Sequence, residues 1–114
     1  MATLTAQQIS QAGLKPTTVT PDAGGDKLAN TGKQFFHVQN DGGSAISATV
    51  VPVVTTVIDP LLGKLVKENA VLTLSGGEQG FLGPFEIDAF NDSDGNITIT
   101  CSATASVKLS ALYL

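Results

Sequence analysis

From Gly32 to Val54 apolar and polar residues alternate twice over, on either side of a cluster of turn formers. Phe36 and Val38 alternate with Phe35, His37 and Gln39, and later Ile46, Ala48 and Val50 alternate with Ser47 and Thr49. This is the period of two that turns one face of a strand inward. Between them Asp41-Gly42-Gly43-Ser44 supplies residues that tolerate positive φ and hydrogen-bond their own backbone, so the stretch is expected to be a hairpin. A second copy follows: Phe85 to Phe90 leads into Asn91-Asp92-Ser93-Asp94-Gly95, and Asn96 to Cys101 alternates again.

Val53 to Ile58 continues as strand or bulge, and Asp59 to Lys64 breaks it as a connection across one end of the domain. Val66 to Leu74 reads as a strand, Ser75 to Glu78 as a turn, and Gln79 to Leu82 as an edge segment ended by Pro84, which cannot donate to a ladder. Val107, Leu109, Ala111 and Tyr113 alternate with Lys108, Ser110, Leu112 and Leu114 in a final strand, apolar on both faces near its end and so expected to be covered on both. Seven or eight short strands with near-regular turn signals predict an all-β fold, an antiparallel β-sandwich of jelly-roll-like topology, over residues 32–114.

Residues 1–31 are different: Thr, Gln, Pro and Gly dominate, and the apolar residues are thinly spread. Gly13, Pro16 and Pro21 forbid a continuous helix, and Lys15 and Thr20, each before a proline, are pushed toward extended geometry. The segment is expected to be an extended N-terminal arm, ordered through contact with a partner or a neighbouring subunit. Leu4, Ile9, Leu14 and Val19 recur every five residues, which suits neither a helix face nor a strand face but lets an extended chain pin one side chain per step into separate shallow sites. On that reading the sandwich keeps its stability when the arm is removed.

Composition sharpens this. Hydrophobic residues make up 42% of the 114 residues and charged ones 14%, so the surface is covered largely by Thr, Ser, Asn, Gln and Gly. With so few charges there is little protection against association, and Leu112, Tyr113 and Leu114 are expected at a homo-oligomer interface, a trimer in the first instance. A net charge of −4 with six lysines and no arginine argues against nucleic acid, whose recognition relies on basic side chains and on arginine above all. The longest apolar stretch, Val50 to Ile58, is broken by Pro52, Thr55 and Thr56, so no membrane span and no leader are expected. Cys101 is alone and cannot form an internal disulfide, as suits a protein matured in a reducing compartment.

No constellation of catalytic residues assembles from the sequence. His37 is the only histidine and lies mid-strand without a partner at fixed spacing, and Cys101 continues the Ile97, Ile99 face, so both are read as structural. The run Asp92 to Asn96 looks like part of a calcium loop but lacks the third carboxylate and closing Glu, and is read as an Asx turn. The glycine pairs at Gly24, Gly42 and Gly76 precede no helix and are turns, and Glu86 and Asp88 form a solvated face. No catalytic residue, cofactor or metal is therefore expected.

Taken in order, Gly13-Leu14-Lys15-Pro16-Thr17, Asn30-Thr31-Gly32, Phe36-His37-Val38-Gln39-Asn40, Gly83-Pro84-Phe85, Phe90-Asn91 with Asp94-Gly95, and the closing Val107 to Leu114 resemble small virion proteins of tailed bacteriophages over nearly the whole chain. Among these the sequence resembles capsid decoration, or cement, proteins. The resemblance implies a non-enzymatic β-sandwich, often trimeric, that binds the outer face of a lattice of major capsid protein after assembly in the host cytoplasm. A second class, a carbohydrate-binding or adhesion module on a virion or cell surface, asks for exposed aromatics, against which stand no Trp and one Tyr.

Overall fold

The computed structural model describes residues 2–53, 56–59, 61, 63–66 and 68–114. Val54, Thr55, Pro60, Leu62 and Lys67, on which parts of the expected strand and connection after Pro52 fall, lie outside the described residues. The strands are β1 (Ala2–Leu4), β2 (Gln7–Gln8), β3 (Asp26–Ala29), β4 (Gln34–Asn40), β5 (Ile46–Val50), β6 (Thr56–Asp59), β7 (Gly63–Val66), β8 (Ala70–Leu74), β9 (Gln79–Leu82), β10 (Asn96–Cys101) and β11 (Val107–Tyr113), with one helical turn, α1 (Ile87–Phe90). Among the described residues they form a first sheet in the order β1-β3-β10-β5-β8, a second in the order β2-β11-β4-β9, and a separate β6-β7 pair. The two large sheets make the expected all-β, sandwich-like fold. Both sheets are mixed rather than purely antiparallel, because β1 runs parallel to β3 and β2 parallel to β11.

Alternation specifies the core. Phe36 and Val38 of β4 and Leu109 and Ala111 of β11 face Ala48 and Val50 of β5 and Ile97 and Ile99 of β10, all buried in one cluster. Leu28 and Phe85 close it, and Phe85 sits edge-inclined between Phe36 and Phe90 with ring centroids 6.0 and 5.3 Å away. Burying such side chains stabilises by roughly 1.5–3 kcal/mol each relative to exposure.

The Gly32 to Val54 stretch is not a hairpin. Its two strands lie in different sheets: β4 pairs with β11 and β9, whereas β5 pairs with β10 and β8. The turn between them is an arch that carries the chain across the core. Asn40 holds it, donating from Nδ2 to the carbonyls of Ser44, Leu74 and Ser75 at 2.8, 3.3 and 3.2 Å and accepting from the Gly42 N–H. One side chain thereby ties this arch to the β8–β9 arch beside it, where Gly76 is packed so closely that an added Cβ would lie 2.7 Å from the Gly42 carbonyl oxygen. Alternation reports which face is buried, and an arch and a hairpin bury the same face.

The second expected strand pair also changes. Phe85 to Phe90 is extended only at its start and then turns once as α1, because Phe85 and Ala89, four apart, are the residues it buries. Glu86 and Asp88 are both exposed there.

The arm takes the largest departure from expectation. β3, inside residues 1–31, is an internal strand of the first sheet, held between β1 and β10. β1 and β2 then place the start of the chain in both sheets, so that it crosses from one to the other at Thr5 and Ala6, and Leu4 and Ala6 pack on the core. The arm is thus laid against its own domain.

Candidate functional site

The two outer faces of the sandwich differ. On the first sheet the outward positions read Thr3, Lys27 and Thr98 across one row, Thr100, Thr49 and Val71 across the next, and Ser47 and Thr73 beyond. These are short hydroxyl side chains with one lysine and one exposed valine. On the second sheet the outward rows are Leu112 with Phe35, Ser110 with His37 and Phe81, and Lys108 with Gln39 and Gln79. Phe81, on the edge strand β9, is 64% exposed and packs its ring on Phe35 at 5.8 Å and on His37 at 5.0 Å.

The arm folds over this face. After β2 the Ile9 N–H donates to the Tyr113 carbonyl at 2.8 Å, the chain loops out, and Val19 returns to exchange two bonds of 2.8 Å with Leu109. The loop is cinched by Gln7, whose side chain donates to the Thr17 carbonyl and accepts from the Thr17 N–H, both at 2.9 Å. This explains why Leu112 is buried although it points outward, as its position on an apolar second face required.

Between loop and sheet lies an apolar cavity of about 200 Å³ lined by Ile9, Leu14, Pro16, His37, Phe81 and Leu112. Of the arm residues singled out by spacing, Leu4 packs on the core, Ile9 is half-buried in the cavity wall, and Leu14 and Val19 are 38% and 41% exposed. Of the residues expected at an oligomer interface, Leu112 is buried beneath the arm, Tyr113 is half-buried and Leu114 is 77% exposed. Phe81 joins this surface without having been singled out. Its signal was an aromatic at an outward-facing position of an edge strand.

The side chains that could carry other chemistry are engaged elsewhere. His37 Nε2 lies 3.0 Å from Gln79 Oε1, and since an amide oxygen only accepts, it is the Nε2–H tautomer of the ring that donates to it. Cys101 is buried in the core, and burial first, then the negative charge of Asp26, pushes its thiol up to about 11. Asp26 is itself fully buried; its Oδ2 accepts from the Asp22 N–H at 3.0 Å, and its Oδ1 has no hydrogen-bond partner. Asp92 Oδ1 accepts from the N–H groups of Asp94 and Asn96, as an Asx turn does, and these bonds, the one from Asn96 foremost, hold its carboxyl below the ordinary value. Among the described residues no three of His, Cys, Asp and Glu converge as metal ligands.

No family model, curated protein or solved structure matches the chain.

Proposed function

We propose that the chain is a non-enzymatic structural protein of a tailed-phage virion, which binds the outer surface of the major capsid protein lattice as a decoration or cement protein and acts as a homo-oligomer, a trimer in the first instance. The ordered run of motifs in the sequence supports this reading. The observation that carries it is the arm-covered face of the second sheet, where Leu14 and Phe81, from elements far apart in sequence, flank one apolar cavity beside the half-buried His37.

Exposed apolar side chains gathered round a cavity mark a contact surface more often than a free one. They contribute most when a partner side chain enters and excludes water, and aromatic anchors then dominate the binding energy. Repetition over an oligomer would multiply several such modest contacts through effective concentration, which suits attachment to a repeating lattice. Leu114, exposed beside the arm-covered edge, supplies apolar surface for subunit contact.

Co-sedimentation with purified phage shells that lack decoration tests the proposal. Phe81→Ser combined with Leu14→Ser should reduce occupancy at least tenfold while leaving the fold intact, and undiminished binding would move the contact elsewhere. Sedimentation velocity at tens of micromolar tests the oligomer; a monomer both in solution and on the particle would end that part of the reading.

A further inference from the structure

Outside the two large sheets the chain pairs with itself once more. β5 and β8 run together at the edge of the first sheet as far as Val50 opposite Ala70, and β6 and β7 then pair from Thr56 opposite Val66 to Asp59 opposite Gly63. The two ladders are the inner and outer parts of one long hairpin, and among the described residues the outer part joins neither large sheet. Val51 and Val53 at its root are exposed, and so is Leu61 at its tip. Val57, Ile58, Leu65 and Val66 make up half of β6 and β7. A two-stranded hairpin is marginal at best in water and needs a third strand or an apolar surface to lie on. Among the described residues its own copy pairs no third strand with it.

β9 has the converse need. Where it begins, Asn40 donates to the Glu78 carbonyl and accepts from the Gly77 N–H, both at 2.8 Å. These bonds fix the phase of the β4-β9 ladder: Val38 with Gly80 and Phe36 with Leu82 are the bonded pairs, so the N–H and C=O groups of Gln79 and Phe81 point away from β4. No described strand lies on that side. Proteins blunt such an edge with charge, proline or shortness. Gln79–Leu82 contains neither charge nor proline, whereas β2, the opposite edge of the same sheet, is only two residues long. The Phe81 ring is exposed beside this open edge.

We propose that in the homo-oligomer the β6-β7 hairpin of one copy adds to the β9 edge of the next, so that the second sheet runs on from copy to copy. A strand from an unrelated protein would satisfy β9 and leave the hairpin bare, whereas a second copy satisfies both. Asp59 and Lys64 of the hairpin strands cancel and β9 is uncharged, so no like charges oppose the contact. Main-chain bonds to Gln79 and Phe81 give the attachment, and the Phe81 ring gives the hairpin an apolar neighbour. The two surfaces differ, so the contact is head-to-tail, and a rotation that closes it makes a ring, a trimer in the first instance. The proposal rests on the homo-oligomer proposed above and names its interface, but it needs no shell.

Sedimentation velocity at tens of micromolar, with two variants, tests it. One replaces residues 54–67 by a short Gly-Ser turn and keeps β9; the other, Gln79→Pro, removes an outward N–H and keeps the hairpin. The wild type should sediment as a closed oligomer and each variant as a monomer. An equimolar mixture of the two should reach twice the monomer mass and no more, because each supplies what the other lacks. Val71→Lys, on the β8 edge, should leave the wild-type mass unchanged. An oligomer that persists in Gln79→Pro, or a mixture of folded variants that stays monomeric, overturns this contact and leaves the homo-oligomer standing; a wild type that is monomeric throughout overturns it as well. Should the shortened chain fail to fold, Gln79→Pro still decides, since loss of the oligomer with an unchanged circular-dichroism melt supports the contact and retention sinks it.

Discussion

The outer faces of the two sheets are built from strands of the same alternation, yet one is left bare and the other is roofed. The bare face carries threonine and serine, which suit a strand and hydrogen-bond readily to water. The roofed face carries Phe35, Phe81 and Leu112, and the arm lies across it. A sheet with two apolar faces requires a third layer, and the first twenty residues provide it. The polar face needs nothing, and the first twenty residues give its sheet only β1 at the edge.

The strongest way to break this comparison is to remove the roof. Deleting residues 1–20 takes away β1, β2, the Val19 bridge and the packing of Leu4 and Ala6, and uncovers Leu112. We expect a loss of at least about 3 kcal/mol in urea unfolding, on the scale of a large core truncation. This replaces the expectation, drawn from spacing alone, that the sandwich would be indifferent to its arm; an unchanged midpoint would restore it.

Next in size is Gly83→Ala, beside the roofed face. Gly83 has φ +120°, and an added Cβ would lie 2.9 Å from a Phe85 ring carbon and 3.0 Å from Phe35 Cβ. Backbone strain and displaced aromatics together should cost about 2 kcal/mol. Thr73→Ala on the bare face should stay within about 0.5 kcal/mol, and the same thermal melts compare the two.

Phe81→Ala should cost about 1 kcal/mol through the lost ring contacts with Phe35 and His37, more than Val71→Ala on the other face. Equal effects would mean that the ring cluster is not coupled to the sheet. Cys101 reads the interior beneath the bare face: with its thiol pushed up to about 11, labelling by a thiol reagent at pH 8 should track global unfolding. Fast labelling of the native chain would reveal local opening there.

The smallest effect is one of pH. Asp22, bonded by the Gly24 N–H, and Asp92, bonded chiefly by the Asn96 N–H, both have carboxyls held below the ordinary 3.8, and they stand before β3 and β10 of the first sheet. A depressed folded value gives stability that is complete above the unfolded value and is lost as pH falls through the folded one. Protection of the Gly24 and Asn96 amides, taken as exchange relative to the intrinsic rate at each pH, should therefore fall below about pH 4, before any change over Phe81. Titration of both carboxyls at the ordinary value would remove that difference between the sheets.

How much of this was legible follows from what a sequence pattern encodes. Strands β4, β5, β10 and β11 were plain, because each spans five or more residues and shows its buried face directly. Their assignment to sheets was not, since alternation names the face and leaves the neighbour open; hence the arch at Asn40 read as a hairpin. β1 and β2 are three and two residues long, too short for any period to appear. The Gln7 to Thr17 link joins a side chain to backbone ten residues away, and no residue type marks such a bond in advance. Leu112 was legible as a second apolar face, whereas its cover was not.

The alternation of successive strands between sheets also governs the order of events in time. β3 pairs with β10 and β4 with β11, so neither sheet has its central partners until the last fifteen or so residues have been synthesised. Within the arm, β2 and Val19 dock on β11 and must wait for it. Such a wiring leaves local pairing little to do, and refolding from urea is expected on the slow scale of β-sandwiches, roughly milliseconds to seconds. Stopped-flow fluorescence of Tyr113, the only tyrosine, reports the closing step. A full-amplitude microsecond phase would mean that the chain assembles by a more local route than its strand order allows.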